Sequence, residues 1–279
     1  MTRLRFDMNP SFRERYGEWG IVTGASSGIG EAFAYALAAR GMKPLLLARR
    51  EEELHRVALA VKERYGIECG WLVLDVADHN FIERVMLACG DRDVGMVVGN
   101  AAYNPAGAFT DLSRSDLMRT LDVNNRANLL LAHAFLPRFK KRNRGAFVLV
   151  SSVEAFTGMP YSAAYSASKA YVLSLGEALW GEFSGSGVDV LTVVPGPTDT
   201  PLLASRKLKI KGMPARDVTE IGLDHLGKGP SVVPGALNRW SFRLLRRLPR
   251  RWIVKATGGA MKKIVADMRA DKNNSETGK

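Results

Sequence analysis

Strands and helices alternate along this chain from Trp19 to Val194. That alternation predicts an α/β fold, a single doubly wound parallel sheet of about seven strands with helices on both faces. Two further observations point the same way. The strand candidates are short, near-continuous apolar runs, as strands buried on both faces are. A glycine-rich turn joins the first of them to a helix. The 279 residues suit one large α/β unit, and an apolar share of 46% is enough for a full core. A helical extension is expected after the sheet.

Residues 1–17 form an N-terminal arm without clear periodicity, and Met1–Trp19 lacks the apolar core of a signal peptide. Trp19–Thr23 is the first strand. It runs into Thr23-Gly24-Ala25-Ser26-Ser27-Gly28-Ile29-Gly30 and a helix over Glu31–Arg40. A turn of this kind lets backbone N–H groups approach a phosphate at the helix N-terminus, so Gly24, Ser26, Ser27, Gly28, Ile29 and Gly30 are dinucleotide-binding candidates. Lys43–Ala48 is the second strand. Its end is where such folds read the adenosine ribose, with a carboxylate for a 2′-hydroxyl and an arginine for a 2′-phosphate. Ala48 supplies no carboxylate and Arg49 supplies the cation, so NADP(H) is expected over NAD(H). Pairing of Arg49 and Arg50 with Glu51–Glu53 is the plain alternative.

The third strand is read over Trp71–Val76, followed by a helix over Asp78–Ala88. Asp75 either accepts from the adenine amino group or caps that helix, and Val76 lies beside it. Val94–Val98 leads into Gly99-Asn100-Ala101-Ala102. A long helix over Ser115–Phe139 carries Asn124 and Asn125, which lower its propensity and imply a kink or a buried polar role. Gly145–Val150 ends in Ser151-Ser152, Ser162–Phe183 is a helix, and Val188–Val194 closes in Pro195-Gly196-Pro197-Thr198-Asp199-Thr200. Ligands in such folds sit at the carboxyl ends of the strands, where the glycine turn, Asn100, Ser152 and Pro195–Thr200 all fall.

Tyr165 and Lys169 carry the chemistry. Four residues apart on a helix, they share one face. A cation beside a phenol favours phenolate and lowers its pKa from about 10. Tyr165 could then exchange a proton near neutral pH, as general acid–base catalysis requires. Of seven tyrosines only Tyr165 has lysine at the fourth position on.

Taken in order, Thr23–Gly30, Asp75, Gly99–Ala102, Asn124, Ser152, Tyr165 with Lys169, and Pro195-Gly196 resemble the short-chain dehydrogenase/reductase family over roughly residues 18–235. The resemblance implies a Rossmann-type domain that reduces a carbonyl or oxidises an alcohol with a nicotinamide cofactor. It makes Tyr165 the proton donor or acceptor and has Lys169 lower its pKa and hold the nicotinamide ribose. Ser152 would position the carbonyl oxygen, and Asn124 would support a water-linked proton path to Lys169. Asn100, Ala101, Pro195, Gly196, Thr198 and Thr200 would line the cofactor. Two departures stand out. Ala102 replaces the family's usual glycine, adding a methyl near the cofactor and disfavouring a positive φ. Ser26 and Ser27 occupy places where many NADP-dependent members carry a second basic residue.

The family also implies a substrate lid, here residues 200–234. Leu202, Leu203, Leu208, Ile210 and Met213 interleave there with Arg206, Lys207, Lys209 and Lys211, which suits a hydrophobic ketone or a 3-oxoacyl thioester with an anionic handle. An exposed charged loop is the alternative. Dimerisation through the helices near 115–139 and 162–183 is expected by the same likeness.

The net charge of +12 is local: residues 201–263 hold 15 Lys/Arg against 3 Asp/Glu. Arg239–Lys255 has seven basic residues and no acidic one, with Trp240, Leu244, Leu245 and Leu248 in a helical stripe before Pro249, and Trp252-Ile253-Val254 after it. Packing on the core or a partner and peripheral contact with an anionic membrane both fit. Nucleic-acid binding finds no supporting motif. The extension spans 236–279, with Asp271–Lys279 expected to be disordered. Cys69 and Cys89 offer neither a disulfide framework nor metal spacing, so a reducing, cytoplasmic setting without a metal site is expected.

Overall fold

A computed structural model describes residues 10–205, 211–236, 238–240 and 247–277. Six strands follow the apolar runs: β1 (Trp19–Thr23), β2 (Lys43–Ala48), β3 (Gly70–Val73), β4 (Val94–Gly99), β5 (Gly145–Val150) and β6 (Val188–Val193). After β6 come two short strands, β7 (Thr198–Asp199) and β8 (Met213–Pro214), which pair with each other, and then β9 (Ser231–Val232). The main sheet runs β3-β2-β1-β4-β5-β6-β9, every pair parallel. The order reverses between β1 and β4, which opens a crevice at their carboxyl ends.

The period-two alternation of the strands divides the interior into two cores. Val22, Leu46, Met96, Val98, Ala146 and Val148 face Phe33 and Leu37 of α2 (Gly28–Ala39) and Leu54 and Val57 of α3 (Glu51–Tyr65). Ile21, Leu45, Leu47, Val97, Phe147 and Leu149 face Phe81 and Val85 from α4 (Phe81–Cys89). They also meet Leu131, Phe135 and Phe139 from α6 (Ala127–Lys141) and Val172 from α7 (Ala163–Phe183).

Several boundaries differ from expectation. Pro10–Tyr16, inside the expected arm, is a helix (α1), and the buried Tyr16 donates its hydroxyl to Asp189 at 2.7 Å. The third strand stops at Val73, because Asp75 turns back to accept from the Ala77 N–H at 3.0 Å. Its helix therefore starts at Phe81, and neither Asp75 nor Asp78 caps it. The long helix is α5 (Arg114–Leu121), one wide π turn at Asp122–Arg126, then α6. The two asparagines sit in that turn, so the expected kink and the expected polar role coincide.

The segment 200–234 holds α8 (Pro201–Ser205), β8, α9 (Ala215–Asp224) and β9. Arg206, Lys207, Leu208, Lys209 and Ile210 lie outside the described residues, as do Leu244 and Leu245. A final helix spans Arg250–Thr277. It overturns the disorder expected over Asp271–Lys279 as far as Thr277, since no glycine or proline interrupts the chain between Gly259 and Thr277; residues 278–279 lie outside the described residues.

Candidate active site

At the crevice the glycine turn forms a cradle that side chains would fill. Gly24 (φ +65°) and Gly28 (φ +61°) occupy the left-handed region, and a Cβ at Gly24 would come within 2.9 Å of Ala101 Cα. At Gly30 a Cβ would meet the Gly24 carbonyl oxygen at 2.2 Å, so this glycine lets α2 pack on the turn and does not itself face the cavity. The Ser27 side chain does not cap α2. Its hydroxyl instead accepts from Arg50 Nη2 at 2.8 Å, and the Ser26 hydroxyl accepts from the same nitrogen at 2.9 Å. Thr23 Oγ1 accepts from the Asn100 and Ala101 N–H groups at 2.9 and 3.0 Å, which fixes β1 against the end of β4.

One cavity of about 540 Å³ runs from this turn to the C-terminal helix. Its wall includes Gly24, Ser26, Ser27, Gly28, Ile29, Arg49, Asp75, Val76, Asn100 and Ala101. Ser152, Tyr165, Lys169, Pro195, Gly196, Thr198 and Thr200 line the same cavity, and Thr200 closes on the turn, since a Cβ at Gly28 would stand 3.0 Å from its methyl. The structure thus brings together every sequence-predicted site residue except Gly30, which supports the turn, and Asn124, which supports the tyrosine helix. Asp75 pairs with Arg119. Burial pushes its carboxyl pKa up, but the Ala77 N–H and the Arg119 guanidinium outweigh this and hold it below the usual range. Ala102 lines the wall with no positive φ, so the backbone conflict expected of its methyl does not arise.

Tyr165 and Lys169 are both buried on the first turns of α7. The Lys169 ammonium lies 5.5 Å from the Tyr165 ring centroid and donates to the Val150 carbonyl at 2.8 Å. Ser151 Oγ donates to the Lys169 carbonyl at 2.7 Å, tying the end of β5 to α7. Burial lowers the Lys169 pKa from 10.5 to about 8, with the Glu154 carboxylate acting in the opposite sense. The lysine therefore still carries its proton at neutral pH, beside the phenol.

Asn124 is fully buried behind this pair. It accepts from the Tyr103 N–H at 2.8 Å and donates to the Tyr103 carbonyl at 3.0 Å and to Ser168 Oγ at 2.8 Å. Ser168 in turn donates to the Tyr165 carbonyl at 2.7 Å. The asparagine thus locks the loop after β4 to the tyrosine helix. The same loop is clasped again where the Gly107 N–H donates to the carbonyl of Tyr161, a residue at φ 63°.

Sequence reasoning missed five contributors. Arg50 reaches Ser26 and Ser27 in space, supplying the second cation that the turn itself lacks. Glu154 is a buried carboxylate in the cavity wall, and it accepts from Ser162 Oγ at 2.8 Å. Asn104 lines the cavity with both side-chain amide atoms buried and without a partner among the described residues. Thr257 and Met261 reach the wall from the C-terminal helix. That helix seats closely on the loop before Tyr165, since a Cβ at Gly258 would stand 3.0 Å from Pro160. Arg50 adjoins Arg49, and Asn104 follows the Asn100–Ala102 run by two residues; that proximity was the available signal. Nothing local marks Thr257 or Met261.

Comparison with known proteins agrees with this fold. The profile of the short chain dehydrogenase family matches residues 18–211. A 7beta-hydroxysteroid dehydrogenase of Clostridium sardiniense is 34% identical over 253 residues, 89% of this chain and 97% of that protein. Human inactive hydroxysteroid dehydrogenase-like protein 1 is 37% identical over 185 residues, 65% of this chain and 56% of that protein. A solved structure concerned with 7beta-hydroxysteroid dehydrogenase stereoselectivity superposes with a TM-score of 0.84 at 30% identity, covering 88% of this chain and 98% of that one. A short-chain dehydrogenase from Sphingobium yanoikuyae in complex with NADPH gives 0.73 at 27% identity, with 90% and 96% covered.

Proposed function

The chain belongs to the short-chain dehydrogenase family and is an NAD(P)-dependent oxidoreductase acting on an alcohol/carbonyl pair; we propose that it uses NADP(H) and reduces a bulky hydrophobic ketone of the ring-fused, steroid type. The observation that carries this reading is the shared wall. Tyr165, Lys169 and Ser152 line one cavity with the glycine cradle, so a proton donor stands where a bound nicotinamide would end.

The cradle and cation set suit the cofactor. The left-handed glycines at the start of α2 leave room for a pyrophosphate, and Arg49 with Arg50 on Ser26 and Ser27 suits a 2′-phosphate. A bound nicotinamide would supply the hydride to the carbonyl carbon. Ser152 would hold the carbonyl oxygen, and Tyr165 would give that oxygen its proton. Lys169 would keep the tyrosine acidic and hold the ribose, and Asn124 fixes the helix that carries both. Asn100, Ala101, Pro195, Gly196, Thr198 and Thr200 would line the cofactor.

The substrate end is mainly apolar, with Val153, Met159, Leu202, Leu203 and Met261 around it. This favours a bulky ketone over a small polar one, and the likeness to 7beta-hydroxysteroid dehydrogenases supports the choice of class. A 3-oxoacyl thioester is the second candidate. In this proposal residues 18–235 are the catalytic unit, 200–234 its lid and 236–279 an extension, and the enzyme works as a homodimer.

The inactive relative makes a non-catalytic nucleotide binder the competing reading. The intact Ser152, Tyr165 and Lys169 set argues against it. NADPH consumption across ring ketones, oxoacyl thioesters and small ketones tests the substrate class. Tyr165→Phe must lower turnover about 10²- to 10⁴-fold while NADPH still binds. Unchanged turnover would remove Tyr165 as the acid, and consumption with none of the three classes would leave the nucleotide-binding reading in its place.

A further inference from the structure

No Asp or Glu stands between Asp224 and Asp267, whereas ten Lys or Arg do. Of these, Arg239, Arg247, Arg250, Arg251 and Lys255 are exposed. Among them lie three large apolar side chains that also face solvent: Trp240 is 66% exposed, Trp252 57% and Leu248 42%. Core packing does not account for these three. The C-terminal helix already turns a stripe inward, Val254, Thr257, Met261 and Val265, of which Met261 and Val265 are buried. Trp252 precedes Val254 by two residues, about 200° round the axis, and so lies on the opposite face.

We propose that this face, built on Trp240, Leu248, Trp252 and the surrounding arginines, docks on an anionic lipid surface. The cations would hold lipid phosphates, and the indoles and leucine would enter at headgroup depth, where amphipathic rings are favoured. No helix among the described residues is long and apolar enough to cross a membrane, so the contact is peripheral. A second copy of this chain is a poor occupant, because a two-fold contact would set like charges against each other. Nucleic acid offers phosphates too, but nothing that uses the apolar trio together.

The same helix carries Thr257 and Met261 into the cavity wall, five and nine residues after Trp252. Docking there would bring the substrate end of the cavity near the lipid. That advantage rests on the proposed hydrophobic ketone; the docking itself does not.

Co-sedimentation of the full chain with vesicles tests it, using phosphatidylcholine alone and phosphatidylcholine mixed with phosphatidylglycerol. Binding is expected to the mixed vesicles only, to weaken with salt, and to shift tryptophan emission to the blue. Arg247→Glu with Arg251→Glu should weaken it about tenfold or more. Trp240→Ser with Trp252→Ser should weaken it while leaving its salt dependence intact. Both double variants should melt like the parent and keep its turnover of a water-soluble ketone, and Tyr165→Phe should bind vesicles like the parent. Equal binding to neutral and mixed vesicles, or to neither, would overturn the proposal. So would tighter binding to a polynucleotide at the same salt, or a self-association that the tryptophan variant abolishes.

Discussion

Lys169 is a charge kept where charges are costly. Its ammonium is buried, held by the Val150 carbonyl and opposed by one carboxylate, Glu154. Burial is the larger influence, so its pKa falls to about 8 in the folded chain from 10.5. Between those two values the unfolded chain binds more protons, so folding stability rises with pH across that window. Below it, the fold carries the full cost of the buried cation. Lys169→Met should therefore lose turnover yet melt at or above the parent temperature at pH 7. The difference should shrink as pH climbs from about 8 to 10.5, which paired thermal melts across that range will show. Turnover of the parent in the reductive direction should fall above about pH 8 as Lys169 loses its proton. Asn104 is the opposite case, a neutral amide in the cavity wall with no partner among the described residues. Asn104→Leu should raise KM about tenfold for a ketone with a second polar group near the reacting carbonyl, with NADPH affinity unchanged. An unchanged KM for all ketones would mean that the amide serves no substrate.

At the scale of elements, strands were legible wherever both faces are buried. β1, β2 and β5 match the apolar runs residue for residue, because each lies in the middle of the sheet and ends at a turn. β3 is an edge strand, and there the run of apolar letters outlasted the pairing. The α2 start was read three residues late, since glycine is a poor helix former and only the tight packing of Gly30 on Gly24 reveals why it is there. Tyr165, Lys169, Ser152 and the turn were visible because their spacing is local or their motif has a strand before and a helix after. The wall contributed by the C-terminal helix was not, being a contact between segments about 90 residues apart that no local pattern encodes. Arg50 lies between these cases. The Arg49-Arg50 pair was readable, but its landing on Ser26 and Ser27 needed the fold. Arg50→Ala should weaken NADPH binding about 10- to 100-fold, the loss of a charge-assisted contact, and leave NADH binding nearly unchanged. Titration of both nucleotides checks this, and equal weakening of the two would show that Arg50 shapes the turn and does not read the phosphate.

For the whole molecule, exposed apolar surface is concentrated in more than one place, and the places differ in charge. Around Trp240 and Trp252 it is set among arginines. On the two long helices the nearby cations Arg119 and Arg126 are paired, with Asp75 and Asp122. Met118 and Leu121 on α5, Leu129 on α6, and Tyr171 and Trp180 on α7 are all large, apolar and at least a third exposed. Burying side chains of this kind stabilises an association by roughly 25 cal/mol per Å² of apolar surface removed from water. A two-fold contact repeats each of them on the partner, doubling the gain for every residue that fits. The expected dimer through these helices therefore has a physical basis that the basic face lacks. α7 also carries Tyr165 and Lys169, so pairing there would stiffen the catalytic helix from outside. Light scattering should give twice the 30.6 kDa chain mass for the parent. Leu129→Arg with Trp180→Arg should give the single mass, with lower turnover and a lower melting temperature but the same liposome binding. A monomeric parent, or a dimer that survives both arginines and dissociates instead with Trp252→Ser, would place the contact on the other face.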